Sequence, residues 1–245
     1  MTRRARRILV TGGATGIGLA VARHFADGGD GGDTVVITGR RRAPLEAAAK
    51  ETGAQPVVCD HTDPAAVERL VAELDGPLDV LVNNAGGNTD FDSEEEGGLA
   101  SYARRFRANL DANLLSAALT TKAVEDRLAA GGAVVHIGSI AADQGAGAYG
   151  AAKAGLAAWN VELARELGAR DVTANVVSPG YVADTEFFRD RLPADRRSQL
   201  VAATAVGRPG APADIAGAVA FLASPGARHV TGQVLNVNGG AHMTR

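Results

Sequence analysis

Short runs of β-branched and aliphatic residues alternate along the chain with longer, alanine-rich stretches whose apolar positions recur every three to four residues. The runs predict strands over 7–10, 34–38, 55–59, 80–82, 133–137, 173–177 and 234–237. The stretches between them predict helices over 16–27, 44–51, 64–74, 99–128, 148–167, 195–203 and 212–222. Thr62-Asp63-Pro64 and Ala211-Pro212 supply helix starts, because proline suits a first helical turn. Strands that alternate with helices of this length read as βαβ units, hence a parallel sheet covered on both faces. Right-handed crossovers make that sheet doubly wound, and with no repeat or linker the reading is a single α/β domain over 1–245.

The 245 residues are 46% hydrophobic but only 4% aromatic, with 31 glycines, so the core is built from Ala, Val and Leu. The single cysteine, Cys59, has no internal disulfide partner, and without a Cys/His cluster no metal site is expected. A net charge of −3 argues against nucleic acid, and no apolar run is long enough to span a membrane. The cluster Arg3, Arg4, Arg6 and Arg7 reads as a solvated arm, because the apolar run after it is too short for a signal-peptide core. A soluble, cytoplasmic protein is expected. Two segments break the alternation: a Gly/Asp surface loop over 27–33 and an acidic stretch over 90–98, either a rim of the site or a solvated loop.

Three features carry candidate chemistry. Gly12, Thr15, Gly16, Ile17 and Gly18 follow the first strand and open the first helix, where a glycine turn and free helix amides suit a pyrophosphate. The second strand ends Thr38-Gly39-Arg40-Arg41-Arg42, with no acid to hold a ribose diol and arginines suited to a 2′-phosphate. That favours NADP(H) over NAD(H), with Arg40 as the main contact and Arg41 beside it. Tyr149 and Lys153 stand four apart, on one helix face. A cation about 5 Å from the phenol contributes roughly 3 kcal/mol at an effective dielectric of ~20, some 2 pK units, enough to make the tyrosine a useful acid/base. Of 25 basic residues only Lys50, Lys122 and Lys153 are lysine, so lysine at this spacing is a deliberate choice. Ser139, just past the fifth strand, lies where doubly wound sheets bind ligands and can hydrogen-bond a carbonyl oxygen, or serve as a local cap.

In order, Thr11-Gly12, Gly16-Ile17-Gly18, Asp60, Asn83-Asn84-Ala85-Gly86, Asn113, Ser139, Tyr149, Lys153, Pro179-Gly180 and Thr231-Gly232 through Gly239-Gly240 resemble the short-chain dehydrogenase/reductase family over essentially the whole length. The resemblance implies a Rossmann-like parallel sheet of about seven strands in the order 3-2-1-4-5-6-7. It implies Tyr149 as general acid/base, Lys153 on the nicotinamide ribose, Ser139 on the carbonyl and Asn113 holding a relay water. Asp60 and His61 would meet the adenine, with Asn83, Ala85 and Gly86 beside the adenosine ribose. Pro179, Gly180, Val182 and Thr185 would flank the nicotinamide. Three departures stand out: Ser139 to Tyr149 is short, Thr185 lies one residue further from Pro179 than usual, and Asn238 replaces the more frequent Asp.

Among relatives, 3-oxoacyl-carrier-protein reductases and secondary-metabolite ketoreductases look most similar, with bacterial composition. The segment 181–208 reads as a substrate lid, in which Phe187 and Phe188 offer an aromatic wall. Arg189, Arg191, Arg196 and Arg197 either recruit an anionic or carrier-bound substrate or are solvated. The expected activity is reduction of a carbonyl compound to a secondary alcohol. A sugar or polyol dehydrogenase and a non-catalytic NADP sensor are the alternatives. The family implies a homotetramer, or a homodimer, packed through 99–128 and the Tyr149 helix.

Overall fold

The computed structural model describes residues 4–28, 32–92, 97–188 and 191–244. The predicted strands form as β1 (Arg7–Thr11), β2 (Thr34–Gly39), β3 (Gln55–Val58), β4 (Leu78–Asn83), β5 (Leu128–Ile137), β6 (Thr173–Pro179) and β7 (Val234–Val237). They pair in parallel in the order β3-β2-β1-β4-β5-β6-β7, as the resemblance implies. Strand order reverses between β1 and β4, so the chain leaves Thr11 and Asn83 in opposite directions and opens a crevice at the carboxyl edge.

Side chains alternate across the sheet and feed two cores. Ile8, Val10, Val80, Val82 and Val135 meet α1 (Gly16–Asp27), α2 (Arg42–Thr52) and α9 (Pro212–Leu222). Leu9, Leu81, Val134 and Ala174 meet α3 (Pro64–Glu73), α5 (Ser116–Val124) and α7 (Gly147–Gly168) on the other face. Both faces are therefore dry, which is why the strands read as continuous apolar runs rather than alternating ones. α3 starts as predicted, with the Asp63 carboxylate accepting from the Ala65 N–H at 3.0 Å and Pro64 in the first turn.

Two expectations are corrected. The helix predicted over 99–128 is instead α4 (Leu99–Leu110), a π turn (Asp111–Leu115), α5 and a short 3₁₀ turn, while Leu128 already belongs to β5. Periodicity cannot register the extra residue of a π turn, which frequently marks a functional stretch. The N-terminal arginines form the expected solvated arm only in part: Arg4 is 69% exposed at its side chain but Arg6 only 21%, and Arg3 lies outside the described residues. Arg4 pairs with Asp79, and Arg6 pairs with the Asp33 carboxylate at 3.0 Å while its backbone N–H donates to the same group at 2.9 Å. Asp33 is thereby drawn inward from the 27–33 loop, whose residues 29–31 lie outside the described ones.

Two buried histidines tie the helices to the sheet. Thr120 gives its proton to the Ser116 carbonyl at 2.8 Å, so its oxygen accepts from His61 Nδ1 at 2.7 Å, and His61 Nε2 accepts from Thr38 at 2.6 Å. His136 Nδ1 accepts from Asn83 Nδ2 at 3.1 Å, and its ring meets Trp159 at a tilt, with centres 5.3 Å apart. Burial pushes His61 down to about 4 and His136 to about 3, with the nearby Lys153 charge adding to the latter. Both are neutral when folded yet protonate near 6.5 once unfolded, so their stabilisation is complete above pH 6.5 and is lost as pH falls toward 4. Fully expressed, these shifts correspond to about 3 kcal/mol of acid destabilisation for His61 and about 5 kcal/mol for His136. Urea unfolding at pH 7 and pH 4.5 should show a fall in midpoint that shrinks in a His61→Gln variant; a fall of equal size in that variant contradicts the assignment.

Candidate active site

The two strand ends at the crevice are stitched together. The Thr11 hydroxyl accepts from the backbone N–H groups of Asn84 and Ala85 at 3.0 and 2.9 Å. Asn84 Nδ2 donates in return to the Thr11 and Gly12 carbonyls, both at 3.0 Å. A Cβ on Gly18 would lie 2.2 Å from the Gly12 carbonyl oxygen and 2.5 Å from Asn84 Nδ2, so only glycine lets α1 approach the turn. Thr15 occupies the N-cap without a side-chain hydrogen bond, and the first amides of α1, at Gly16, Ile17 and Gly18, have no side-chain cap. The stitching roles of Thr11 and Asn84 were not anticipated, and the doubled Asn83-Asn84 after an apolar strand was their only signal.

Beyond β2, Arg40 is exposed, while Arg41 forms an ion pair with Glu186 at 2.5 Å. Hydrogen bonds from the Thr62 backbone and hydroxyl hold the Asp60 carboxyl below its usual range, with Arg40 adding to the effect. His61 is not an adenine contact through its imidazole, because Thr38 and Thr120 occupy both ring nitrogens and the residue is 5% exposed. Asn83 likewise turns its amide inward, to Thr121 at 2.8 Å and to His136. Ala85 and Gly86 continue past it. A Cβ on Gly86 would stand 2.6 Å from Asn113 Oδ1, so the turn passes directly against the π segment.

The Asn113 side chain is committed to that turn. Its Oδ1 accepts from the Gly87 N–H at 3.0 Å, and its Nδ2 donates to the Gly87 and Asn109 carbonyls at 2.9 and 3.0 Å. Both amide protons are spent on the chain and the residue is 1% exposed, so the side chain positions the loop. Asn109 does the same one turn earlier, bonding the Thr89 N–H and the Asp90 carboxylate, both at 3.2 Å.

Tyr149 and Lys153 lie on the buried face of α7, 7% and 5% exposed. The Lys153 ammonium donates to the Ile137 carbonyl at 2.8 Å and sits 5.8 Å from the Tyr149 ring centre. Ser139, two residues past Ile137, accepts from the Ala141 N–H at 3.1 Å as the chain turns into α6 (Ala141–Gln144). This one-turn helix fills the short Ser139–Tyr149 span. The expected lowering of the tyrosine is not present in this arrangement. Burial pushes the phenol up to about 12 against a smaller pull from the Ser139 hydroxyl, and burial pushes Lys153 down to about 8. Desolvation of the phenolate outweighs the Ser139 hydrogen bond.

After β6, the Ile140 N–H donates to the Pro179 carbonyl at 3.0 Å, and Gly180 packs against Asn238. Val182 is buried and bridges to Gly210. Asp184 adopts φ 56, a left-handed conformation that takes up the extra residue before Thr185. Thr185 thereby reaches the glycine turn, 3.4 Å from where a Gly16 Cβ would be. The next turn, Glu186–Phe188, lays Phe187 against Tyr149 with ring centres 5.5 Å apart. Phe91, from the acidic 90–98 stretch, joins both Phe187 and Phe188, so that part of the stretch rims the site; residues 93–96 lie outside the described ones. Arg191 donates to the Phe91 carbonyl at 2.7 Å, Arg196 and Arg197 lie exposed on α8 (Ala194–Ala202), and Arg189 falls outside the described residues. Among the described residues no His, Cys, Asp or Glu cluster suits a metal, and no helix is long and apolar enough to cross a membrane.

A family model described as enoyl-(acyl carrier protein) reductase matches residues 12–242. The chain is 36% identical over 250 residues to the 3-oxoacyl-[acyl-carrier-protein] reductase FabG of Escherichia coli, covering 96% of each. Its fold matches a short-chain type dehydrogenase/reductase from Mycobacterium ulcerans with a TM-score of 0.87 at 30% identity, covering 98% of this chain and 91% of that one. It also matches a blue fluorescent protein from a metagenomic library, solved with NADPH, with a TM-score of 0.84 at 34% identity over 99% of this chain and 100% of that one. Motif order, strand order and these likenesses agree: the chain belongs to the short-chain dehydrogenase/reductase family of oxidoreductases.

Proposed function

We propose that this chain is an NADP(H)-dependent oxidoreductase that reduces a carbonyl compound to a secondary alcohol. The observation that carries the reading is the Tyr149 phenol, hydrogen-bonded to Ser139 and with the Lys153 ammonium 5.8 Å from its ring centre. The residues present fit the dinucleotide, since α1 begins without a side-chain cap and residues 38–42 carry arginine and no acid. Relatives solved with NADPH support that choice.

Gly12, Thr15, Gly16, Ile17 and Gly18 would hold the pyrophosphate, Arg40 and Arg41 the 2′-phosphate, and Asp60 the adenine, where only the backbone of His61 is left to help. Ala85 and Gly86, with the Asn83 backbone, would flank the adenosine ribose. Pro179, Gly180, Val182 and Thr185 would flank the nicotinamide, and Tyr149 and Lys153 its ribose. Bound there, the dinucleotide supplies the hydride. Ser139 orients the carbonyl oxygen, and Tyr149 donates its proton to that oxygen. Lys153, largely charged at pH 7 with its value near 8, stabilises the phenolate left behind. A relay water would take the Asn113 main-chain carbonyl, because the side chain is committed. Alcohol oxidation reverses each proton step.

Segment 181–208 acts as the lid of one domain spanning 1–245. A cytoplasmic location and a homotetramer or homodimer belong to this reading, the latter supported by exposed Tyr102, Leu115 and Val161 on α4, the π turn and α7. A carrier-protein-bound substrate is one option, as the name of the FabG relative suggests. A Tyr149→Phe variant should keep NADPH binding and lose about 10²–10⁴-fold in ketone turnover. Wild type that binds NADPH yet reduces no ketone in a broad panel would favour the sensor reading instead. Arg40→Asp should weaken NADPH binding by about 10–100-fold, the worth of a charge-assisted bond to phosphate, with NADH affinity preserved. An unchanged preference for NADPH would remove Arg40 from the 2′-phosphate site.

A further inference from the structure

We propose that the carbonyl compound taken by this site carries an aromatic ring near its carbonyl, received by Phe91, Phe187 and Phe188; the proposal rests on the reductase reading above. The chain has only six phenylalanines and three tyrosines, so their placement is informative. Three of the phenylalanines and two of the tyrosines form one connected set of rings. Phe187 and Phe188 meet edge to face at 4.9 Å, and Phe91 meets Phe187 perpendicularly at 5.9 Å. Phe187 then touches Tyr149 at 5.5 Å, and Phe188 touches Tyr181 at 5.9 Å.

These rings do not serve the fold's interior. The three phenylalanines are only partly buried, and none belongs to either core cluster. They arrive from separate segments, the turn Thr89–Asp92 after β4 and the turn Glu186–Phe188 after β6, which Arg191 links through the Phe91 carbonyl. A wall meant only to shed water from an alkyl chain needs aliphatic side chains, and this sequence has those in abundance. Perpendicular ring edges instead present the positive rim and negative face that another π system matches, beyond simple area burial. Phe187 covers Tyr149, so a substrate reaching the phenol has to take up the ring contacts that Phe187 now makes.

The test uses two methyl ketones of equal carbon count, benzylacetone and methyl octyl ketone, so that the reacting carbonyl is the same. Wild type should show about a tenfold higher kcat/KM for the ring-bearing ketone, and Phe91→Leu and Phe188→Leu should each bring that ratio toward one. Calorimetric binding of the ring-bearing alcohol, weakened about tenfold in Phe91→Leu, reads the same contact without turnover. Equal or better use of the alkyl ketone, or a ratio unmoved in both variants, overturns the aromatic assignment while leaving the reductase intact. Failure to turn over either ketone with NADPH bound counts against the reductase reading, and ring-alcohol binding then decides the aromatic one by its presence or absence.

Discussion

Lys153 buries an ammonium inside the carboxyl edge of the sheet, where the Ile137 carbonyl at 2.8 Å is its partner. Moving its value from 10.5 to about 8 costs about 3 kcal/mol at neutral pH, which is a large part of a domain's net stability. Nothing in packing requires that cost, since an aliphatic side chain would fill the same face of α7. Its position explains much of what surrounds it. α7 must lie close enough to β5 for a lysine to reach a main-chain carbonyl. Gly150 permits the matching approach of α6, because a Cβ there would come within 2.6 Å of the Ala141 carbonyl. The neutral state of His136 follows from the same neighbourhood, since burial and the lysine charge both oppose a second cation.

The rest of the crevice is held by groups that spend their hydrogen bonds on one another. Thr11 and Asn84 fix the two strand ends, Asn109 and Asn113 fix the loop after β4, and Thr38 with Thr120 encloses His61. Among the described residues, the side chains that keep capacity for a ligand include the phenol, the Ser139 hydroxyl, the remaining Lys153 protons, the Asp60 carboxylate and the arginines past β2. Arg41 is already engaged by Glu186 from the segment over the site, so an anion arriving there competes with a carboxylate. Because both partners are largely exposed, that competition is weak.

Much of this was legible in the sequence, for physical reasons that differ from element to element. Strands buried on both faces show as unbroken runs such as Leu78–Asn83, and the glycine turn and the Tyr149–Lys153 pair are local patterns. What stayed hidden depends on contacts between distant segments. The π turn at Asp111–Leu115 leaves no trace in periodicity, and the pairing of Arg6 with Asp33 cannot be told from a solvated arginine. His61 and Asn113 show the reverse, in which a recognised position suggests a ligand contact while the side chain bonds the protein itself and leaves that contact to the main chain. Phe91 sits in an acidic, loop-like stretch and gains meaning only beside Phe187.

The protonation of Lys153 is the most direct point at which to test this account. With only three lysines in the chain, ¹³C labelling at lysine Cε followed by NMR titration resolves each ammonium separately. One resonance, absent from a Lys153→Met variant, should titrate near 8 in the free protein. If the resonance lost in that variant instead titrates above 10 in the wild type, Lys153 is solvated, and the buried charge on which the site is built is not there.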